Sequence, residues 1–393
     1  MLTILVLGLM VCVVTLGTVF TPQGQVEDAS ITANGLNDLQ NKLYDDTNVG
    51  SGSYAQVFTV AQSGGDFTTI GQALSACVNP GPNKTYLIKV MPGIYNESVV
   101  CSSFVRLQGA GKYICYITGL VTGADNCTID DFNITKGVTC SGTSPTIIHN
   151  IITNDTGDGI YIKDGGKPWI KENEIVDCNE WGINCEGFET YSWIIANKIE
   201  RNIAGGIKCN CSHPTISNNQ ILRNHNYGIY LIGDFGLPSE PTIDDNVIAL
   251  TVPSTNGIGI YMKDYAEPRI IANDFWVNYT AIWIEPYTQP SILSNAIAYN
   301  SYGIRCFSSG YSNVVVIKGN HIHSNDLFGI DVGDAMPAIT HNNLYNFNVG
   351  GTDIQYTGPN SFPMISFNVF DTVSGTGANG SYNVNFWGAS INP

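Results

Sequence analysis

From Pro145 onward the chain repeats one apolar–polar pattern, P-x-I-x-x-N-x-I-x-x-N-x-x-G-I-x-ϕ, with ϕ apolar. PTIIHNIITNDTGDGIYI is followed by PWIKENEIVDCNEWGINC, SWIIANKIERNIAGGIKC and PTISNNQILRNHNYGIYL. Later units run from PTIDDNVIAL to GIYM, then PRIIANDFWVNYTAIWI, PSILSNAIAYNSYGIRC, VVIKGNHIHSNDLFGIDV and PAITHNNLYN. The Gly-Ile pairs at 159, 182, 206 and 228 lie 22 to 24 residues apart. Inside each unit the isoleucines alternate with residues that face solvent, the period of short strands buried on one side. A fixed period of this length predicts a solenoid in which each unit buries its apolar face against the next. Parallel pairing needs a crossover, and each coil supplies one by winding once around the axis.

The Asn at 150, 173, 197, 219, 246, 273, 295, 320 and 342 recurs at one place in the unit. Stacked coil on coil, each side-chain amide can bond its neighbour. Gly before Ile is expected to supply a bend, and Pro to open a strand where no ladder donor is lost. Residues 145 to 354 then make about nine coils, ~4.8 Å apart. Upstream, YLIKVMPGIYNESV, FVRLQGAG, CYITGL and NCTIDDFNIT read as three or four less regular coils, and residues 355 to 393 add one or two more. The expected fold is all-β, a right-handed parallel β-helix of about a dozen coils preceded by an N-terminal hydrophobic α-helix. The expected divisions are a hydrophobic helix at 1–22, a helical or linker segment at 23–54, the β-helix at 55–375 and a Gly/Asn-rich cap at 376–393.

Met1 to Phe20 is apolar apart from Thr and Gly, and twenty helical residues span ~30 Å, the thickness of a bilayer core. The first basic residue is Lys42, so the positive start of an ordinary secretory signal is missing. A cleaved signal, a membrane anchor and an assembly helix all remain open, and all place the body outside the cell or on its surface. Residues 26 to 46 can continue a helix through Ile31, Leu36, Leu39 and Leu43. With Pro22 at a kink position, this start weakly resembles a processed type IV pilin, although Leu5 stands where bacterial pilins carry an acid. That resemblance implies copies of the chain as partners, joined through the N-terminal helix into a filament; an anchor implies the membrane instead.

Charged residues are 13% of the chain, about half of the ~25% usual for a soluble domain. Acidic residues outnumber basic ones 33 to 17, for a formal charge of −16. Nucleic acid is therefore an unsuitable partner. Of eleven cysteines, Cys12 lies in the first apolar segment and no CxxC pair occurs, which leaves no zinc motif. Ten body cysteines in an exported chain suggest disulfides. Cys185 and Cys209 fall at ϕ in successive coils, within bridging reach; a ladder of buried free thiols is the alternative. Sequons at Asn83, Asn96, Asn126, Asn133, Asn154, Asn210, Asn278 and Asn379 permit glycosylation.

FTVAQSGGDFTTIGQALSAC (Phe58 to Cys77) with the following IKVMPGIYNESV resembles the opening of pectin methylesterases and of the wider pectin-lyase-like superfamily. The resemblance implies a first strand, a short helix capping the solenoid, and a first coil. Asn-Phe-Trp-Gly at 385–388 resembles a terminal element of right-handed β-helix repeat proteins. The family's catalytic signatures (G-x-x-D-F-I-F-G, N-T-D with G-H-G and R-I-K, or D-P-H-D) do not occur in this chain. The superfold hosts enzymes and non-enzymes alike, so no catalytic position carries over.

The outward position after Gly-Ile reads Tyr161, Asn184, Lys208, Tyr230, Tyr261, Trp283, Arg305, Asp331. Tyr230, Tyr261, Trp283 and Arg305 share one face, at a spacing near one sugar unit per coil, and form the candidate glycan-binding row. Rings stacking simply to stabilise the sheet are the alternative. Asp234, Asp264 and Glu285 leave successive coils near a turn, where they suit turn chemistry, Ca²⁺ through oxygen ligands, or an acid/base pair. The histidines are scattered, and no cofactor or other metal site is expected. Two functions follow: a structural or glycan-binding surface protein, or a divergent polysaccharide lyase, epimerase or esterase working on the same face.

Overall fold

The computed structural model describes residues 54–251, 257–307, 315–345, 351–358 and 361–370, with short stretches between 372 and 391. The N-terminal segments expected at 1–22 and 23–54, all but Tyr54, with their filament or anchor role, and the Asn-Phe-Trp-Gly at 385–388 lie outside the described residues. Among the described residues no helix is long and apolar enough to cross a membrane.

Among the described residues three long parallel sheets of fifteen, twelve and thirteen strands run side by side. One coil shows the path: Thr215–Ser217 in the first sheet, Gln220–Leu222 in the second, Tyr227–Ile232 in the third, then Thr242–Asp244 back in the first. Register stacks Ile on Ile. In the first sheet Ile194, Ile216, Ile243 and Ile270 are successive partners and wholly buried, each worth roughly 1.5–3 kcal/mol relative to exposure.

The corners are turned by single left-handed residues. His149, Glu172, Ala196 and Asn218 have φ of 55–57° and each stands just before a ladder asparagine. In the ladder, Asn219 Nδ2 donates to Ile194 O (2.7 Å) and to Asn246 Oδ1 (2.9 Å), which also accepts the Asn219 backbone N–H. The same scheme runs from Asn150 to Asn368, so buried donors at every bend are met by the next coil. A second ladder, at the corner between the second and third sheets, uses Asn202, Asn224, Asn278, Asn300 and Asn325.

The glycine before each third-sheet isoleucine does not make a bend. Its role is close approach: a Cβ on Gly206 would lie 2.5 Å from Gly228 O, and one on Gly303 2.3 Å from Gly329 O. Ala281 fills the same place in its own coil. The solenoid opens as the resemblance implies, with Gln56–Val60, a helix at Ile70–Ala76 (α1) and Tyr86–Val90. Glu97 accepts the Ile70 and Gly71 N–H groups at 2.8 and 2.9 Å, which fastens α1 to the coil beneath it. At the other end Asn379–Ser381 pairs with Met364–Ser366, and Asn383–Val384 forms an antiparallel pair with Ser390–Ile391.

Candidate functional site

The third sheet has the longest strands of the regular coils, six residues in Tyr227–Ile232 against three in the other two sheets. It therefore presents more than one outward column. Tyr230 partners Tyr261, Tyr261 partners Trp283, Trp283 partners Arg305, and Arg305 partners Asp331. The expected row is thus one continuous column. A second column stands beside it: Trp181 reaches over Gly205 to stack on Tyr227 (6.2 Å), and Tyr302 meets Phe328 (5.8 Å). A Cβ on Gly205 would strike the Trp181 ring at 2.3 Å, so the glycine makes room for it. The rings are all partly exposed.

Ring contacts link the columns, since Tyr227 meets Tyr230 at 5.0 Å and Tyr261 at 5.4 Å. Tyr230 and Tyr261 stack at 5.4 Å, and Tyr261 meets Trp283 at 6.3 Å with the planes tilted. Arg305 sits among Trp283, Tyr302 and Phe307, its guanidinium carbon 4.2–4.8 Å from each centroid. Its Nε also reaches Asp331 at 3.2 Å. Burial raises the Asp331 carboxyl above its ordinary range against the pull of Arg305. Burial also raises the Tyr261 phenol, with the charges of Glu285 and Tyr230 acting the same way, so the hydroxyl stays a neutral donor at physiological pH.

Asp234, Asp264 and Glu285 lie on successive turns at the end of these strands. Gly233 N–H donates to Asp264 O at 2.7 Å, and Glu285 N–H to Met262 O at 3.0 Å. Asp264 pairs with Lys263 at 3.2 Å, and Asp234 accepts the Phe235 N–H at 2.7 Å. Their side chains do not converge on a common ion. Among the described residues the group whose ligand atoms do come together is Asp130, Asp131 and His149, and there Arg106 and His149 already hold Asp130. Glu285 instead lines a pocket of about 250 Å³ with Phe307 and Asp334.

Beyond the carboxylates stands an aromatic ridge that the sequence pattern did not single out. Phe235 is 81% exposed and meets Tyr265 edge-on at 5.7 Å; Tyr265 stacks on Tyr287, itself 51% exposed, at 5.7 Å. A signal was present: Asp234-Phe235, Asp264-Tyr265 and Pro286-Tyr287 each put an aromatic at the same turn.

Cys185 and Cys209 face each other in register, yet both stand as buried free thiols, as do Cys140 and Cys306 in the same sheet. The two thiols form one in-register pair and not a ladder, since Ile162 separates Cys185 from Cys140 and Leu231 follows Cys209, and burial pushes the Cys306 thiol up to about 12. Of the sequons, Asn83, Asn96 and Asn126 are exposed, and Asn133 and Asn210 partly so. Asn278 belongs to the second ladder, and Asn154 Nδ2 donates to Asp158 O at 2.7 Å. Both are buried, so neither can carry a glycan in the folded chain. Asn379 falls where side chains are not described.

The pattern of the family described as "Right handed beta helix region" matches residues 117–251 and 238–349. No curated protein matches the sequence. In backbone the chain is similar to the catalytic unit of a thermostable alpha-1,3-glucanase from Streptomyces thermodiastaticus, with TM-score 0.63, 15% identity, and coverage of 85% of this chain and 70% of that one. It is also similar to a surface adhesin of Streptococcus pneumoniae, with TM-score 0.58, 14% identity, and coverage of 74% and 89%. Identities this low speak for the fold alone.

Proposed function

Because this chain belongs to the right-handed β-helix family, we propose that it is an exported cell-surface protein whose third sheet binds a glycan strand along the solenoid axis. The observation that carries the proposal is the exposed ridge of Phe235, Tyr265 and Tyr287 on the turns that follow the strands holding the in-register column of Tyr230, Tyr261 and Trp283. Ring stacking inside a sheet serves stability. Phe235 at 81% exposure contributes little of that kind, so its place on the turn after a second aromatic column points to a ligand. Flat rings offer apolar faces to sugar C–H groups, while phenol and carboxylate oxygens meet the hydroxyls.

The test separates binding from sheet stability. Phe235→Ala with Tyr287→Ala is expected to lower retention on the cognate polysaccharide in affinity electrophoresis at least tenfold and to leave the unfolding midpoint unchanged. Unchanged retention with a lowered midpoint would overturn the proposal.

One observation favours a second reading, a divergent lyase, epimerase or esterase: Glu285 and Asp334 share a pocket with Phe307 at the end of the aromatic column, an arrangement that suits acid/base work. It requires a change in the bonded structure of a polysaccharide, abolished by Glu285→Gln or Asp264→Ala. Wild-type protein inert on a broad panel by size exclusion and NMR excludes it.

A further inference from the structure

We infer that the glycan held on the third sheet is an uncharged one and that polyuronates are rejected, an inference that rests on the binding reading above. The charges around the aromatic columns carry it. Between Tyr230 and Asp334 the face and its turn edge hold two cations, Lys263 and Arg305, against five carboxylates, Asp234, Asp264, Glu285, Asp331 and Asp334.

Both cations are committed within the protein. Lys263 Nζ lies 3.2 Å from Asp264, and Arg305 is held by Asp331 at 3.2 Å and by three ring faces. An arginine so placed is drawn toward Asp331 and the rings and away from the two-pronged contact that recognises a sugar carboxylate. It acts as a spacer that fixes the pitch of the rings. Lys208, in register with Tyr230 one strand earlier, has no carboxylate at salt-bridge distance among the described residues.

A polyuronate carries one negative charge per sugar unit. Laid along this face it would bring a carboxylate to nearly every coil, next to Asp234, Asp264 and Glu285, with Lys208 at one end as the one uncommitted cation of the row among the described residues. Like charges repel at these separations unless salt screens them. An uncharged glycan meets the opposite situation, since carboxylates and neutral phenols are acceptors and donors for its hydroxyls. Tyr261, held neutral by burial and the neighbouring acid, fits that role.

The experiment uses the full chain in affinity electrophoresis and calorimetry at low and high salt. One set of probes is soluble α- and β-glucans, mannan and xylan; the other is polygalacturonate and alginate. Retention by an uncharged probe, at least tenfold stronger than by either polyuronate at low salt and lost in Trp283→Ala, is the expected result. Circular dichroism checks that this variant folds. Asp234→Asn with Glu285→Gln, both at the turn edge, is expected to narrow the discrimination several-fold. Retention by polyuronates alone would overturn the inference and leave the binding reading standing. Retention by no probe would overturn both.

Discussion

Val277 turns the corner after the second sheet with a φ of 55°, in a column otherwise filled by Asp177, Arg201, Arg223, Leu250, Tyr299 and Ser324. A β-branched residue resists this left-handed conformation most strongly, at a cost of about 1–2 kcal/mol. Val277 is half exposed and its N–H bonds Tyr299 O at 3.2 Å, so packing returns little and the ladder holds the strain in place. Val277→Asn is therefore expected to stabilise the chain by about 1 kcal/mol, seen as a higher urea midpoint at unchanged slope. A lower midpoint would mean that the valine side chain contributes contacts worth more than the strain. The buried Asn side chains show the converse at the same scale. Asparagine is chosen there for what its amide bonds, since each links two coils through its own Nδ2 and Oδ1.

At the scale of the element, the second sheet carries a charge cluster in place of an aromatic face. Glu200, 1% exposed, lies 2.8 Å from Lys198, 2.7 Å from Arg223 and 3.2 Å from Arg201, which also grips Asp177 with both prongs. Burial alone would raise the Glu200 carboxyl, but the cations outweigh it and lower it to about 2. A carboxyl depressed in the folded state stabilises above its unfolded value and loses that contribution as pH falls through its folded value. The loss should run from about pH 4.5 down to about 2 and reach at most ~3 kcal/mol. Urea unfolding of wild type and Glu200→Gln should accordingly differ at pH 6 and converge near pH 2; a gap that ignores pH would exclude the ion cluster as its source. Elements of this kind were only partly legible in the sequence. The first-sheet ladder was, because Ile-x-x-Asn recurs at constant offset. The asparagine of the second ladder also stood in the repeat pattern but was not read as a ladder, with Thr251 in its place between Asn224 and Asn278. Gly-Ile was visible but misassigned, since only three-dimensional stacking shows that Gly206 and Gly228 exist for close approach. The ridge of Phe235, Tyr265 and Tyr287 escaped because side chains on turns have no strand periodicity to mark them.

For the whole molecule, the parallel stacking of coils turns a local motif into a ruler. Aromatic contacts extend from Trp181 to Phe328 across seven successive third-sheet strands. Six steps of ~4.8 Å give a face about 29 Å long. That step is close to the rise of one pyranose unit in an extended glycan, so a bound strand can repeat similar contacts from coil to coil. Affinity for uncharged oligosaccharides is then expected to climb with each added unit and level off near about six, where the chain runs past the aromatic coils. A catalytic pocket such as that beside Glu285, about 250 Å³ in volume, would draw most of its affinity from the one or two units that enter it. Calorimetry on a length series separates the two: a graded rise speaks for the sheet as a binding track, and an early plateau for the pocket as the seat of function. Because each coil contacts chiefly its neighbours, Trp283→Ala should shorten the productive run in the middle and lower the plateau, whereas Trp181→Ala, at the end of the track, should move it to a shorter length. A Trp181→Ala curve identical to wild type would confine the track to the column from Tyr230 to Arg305.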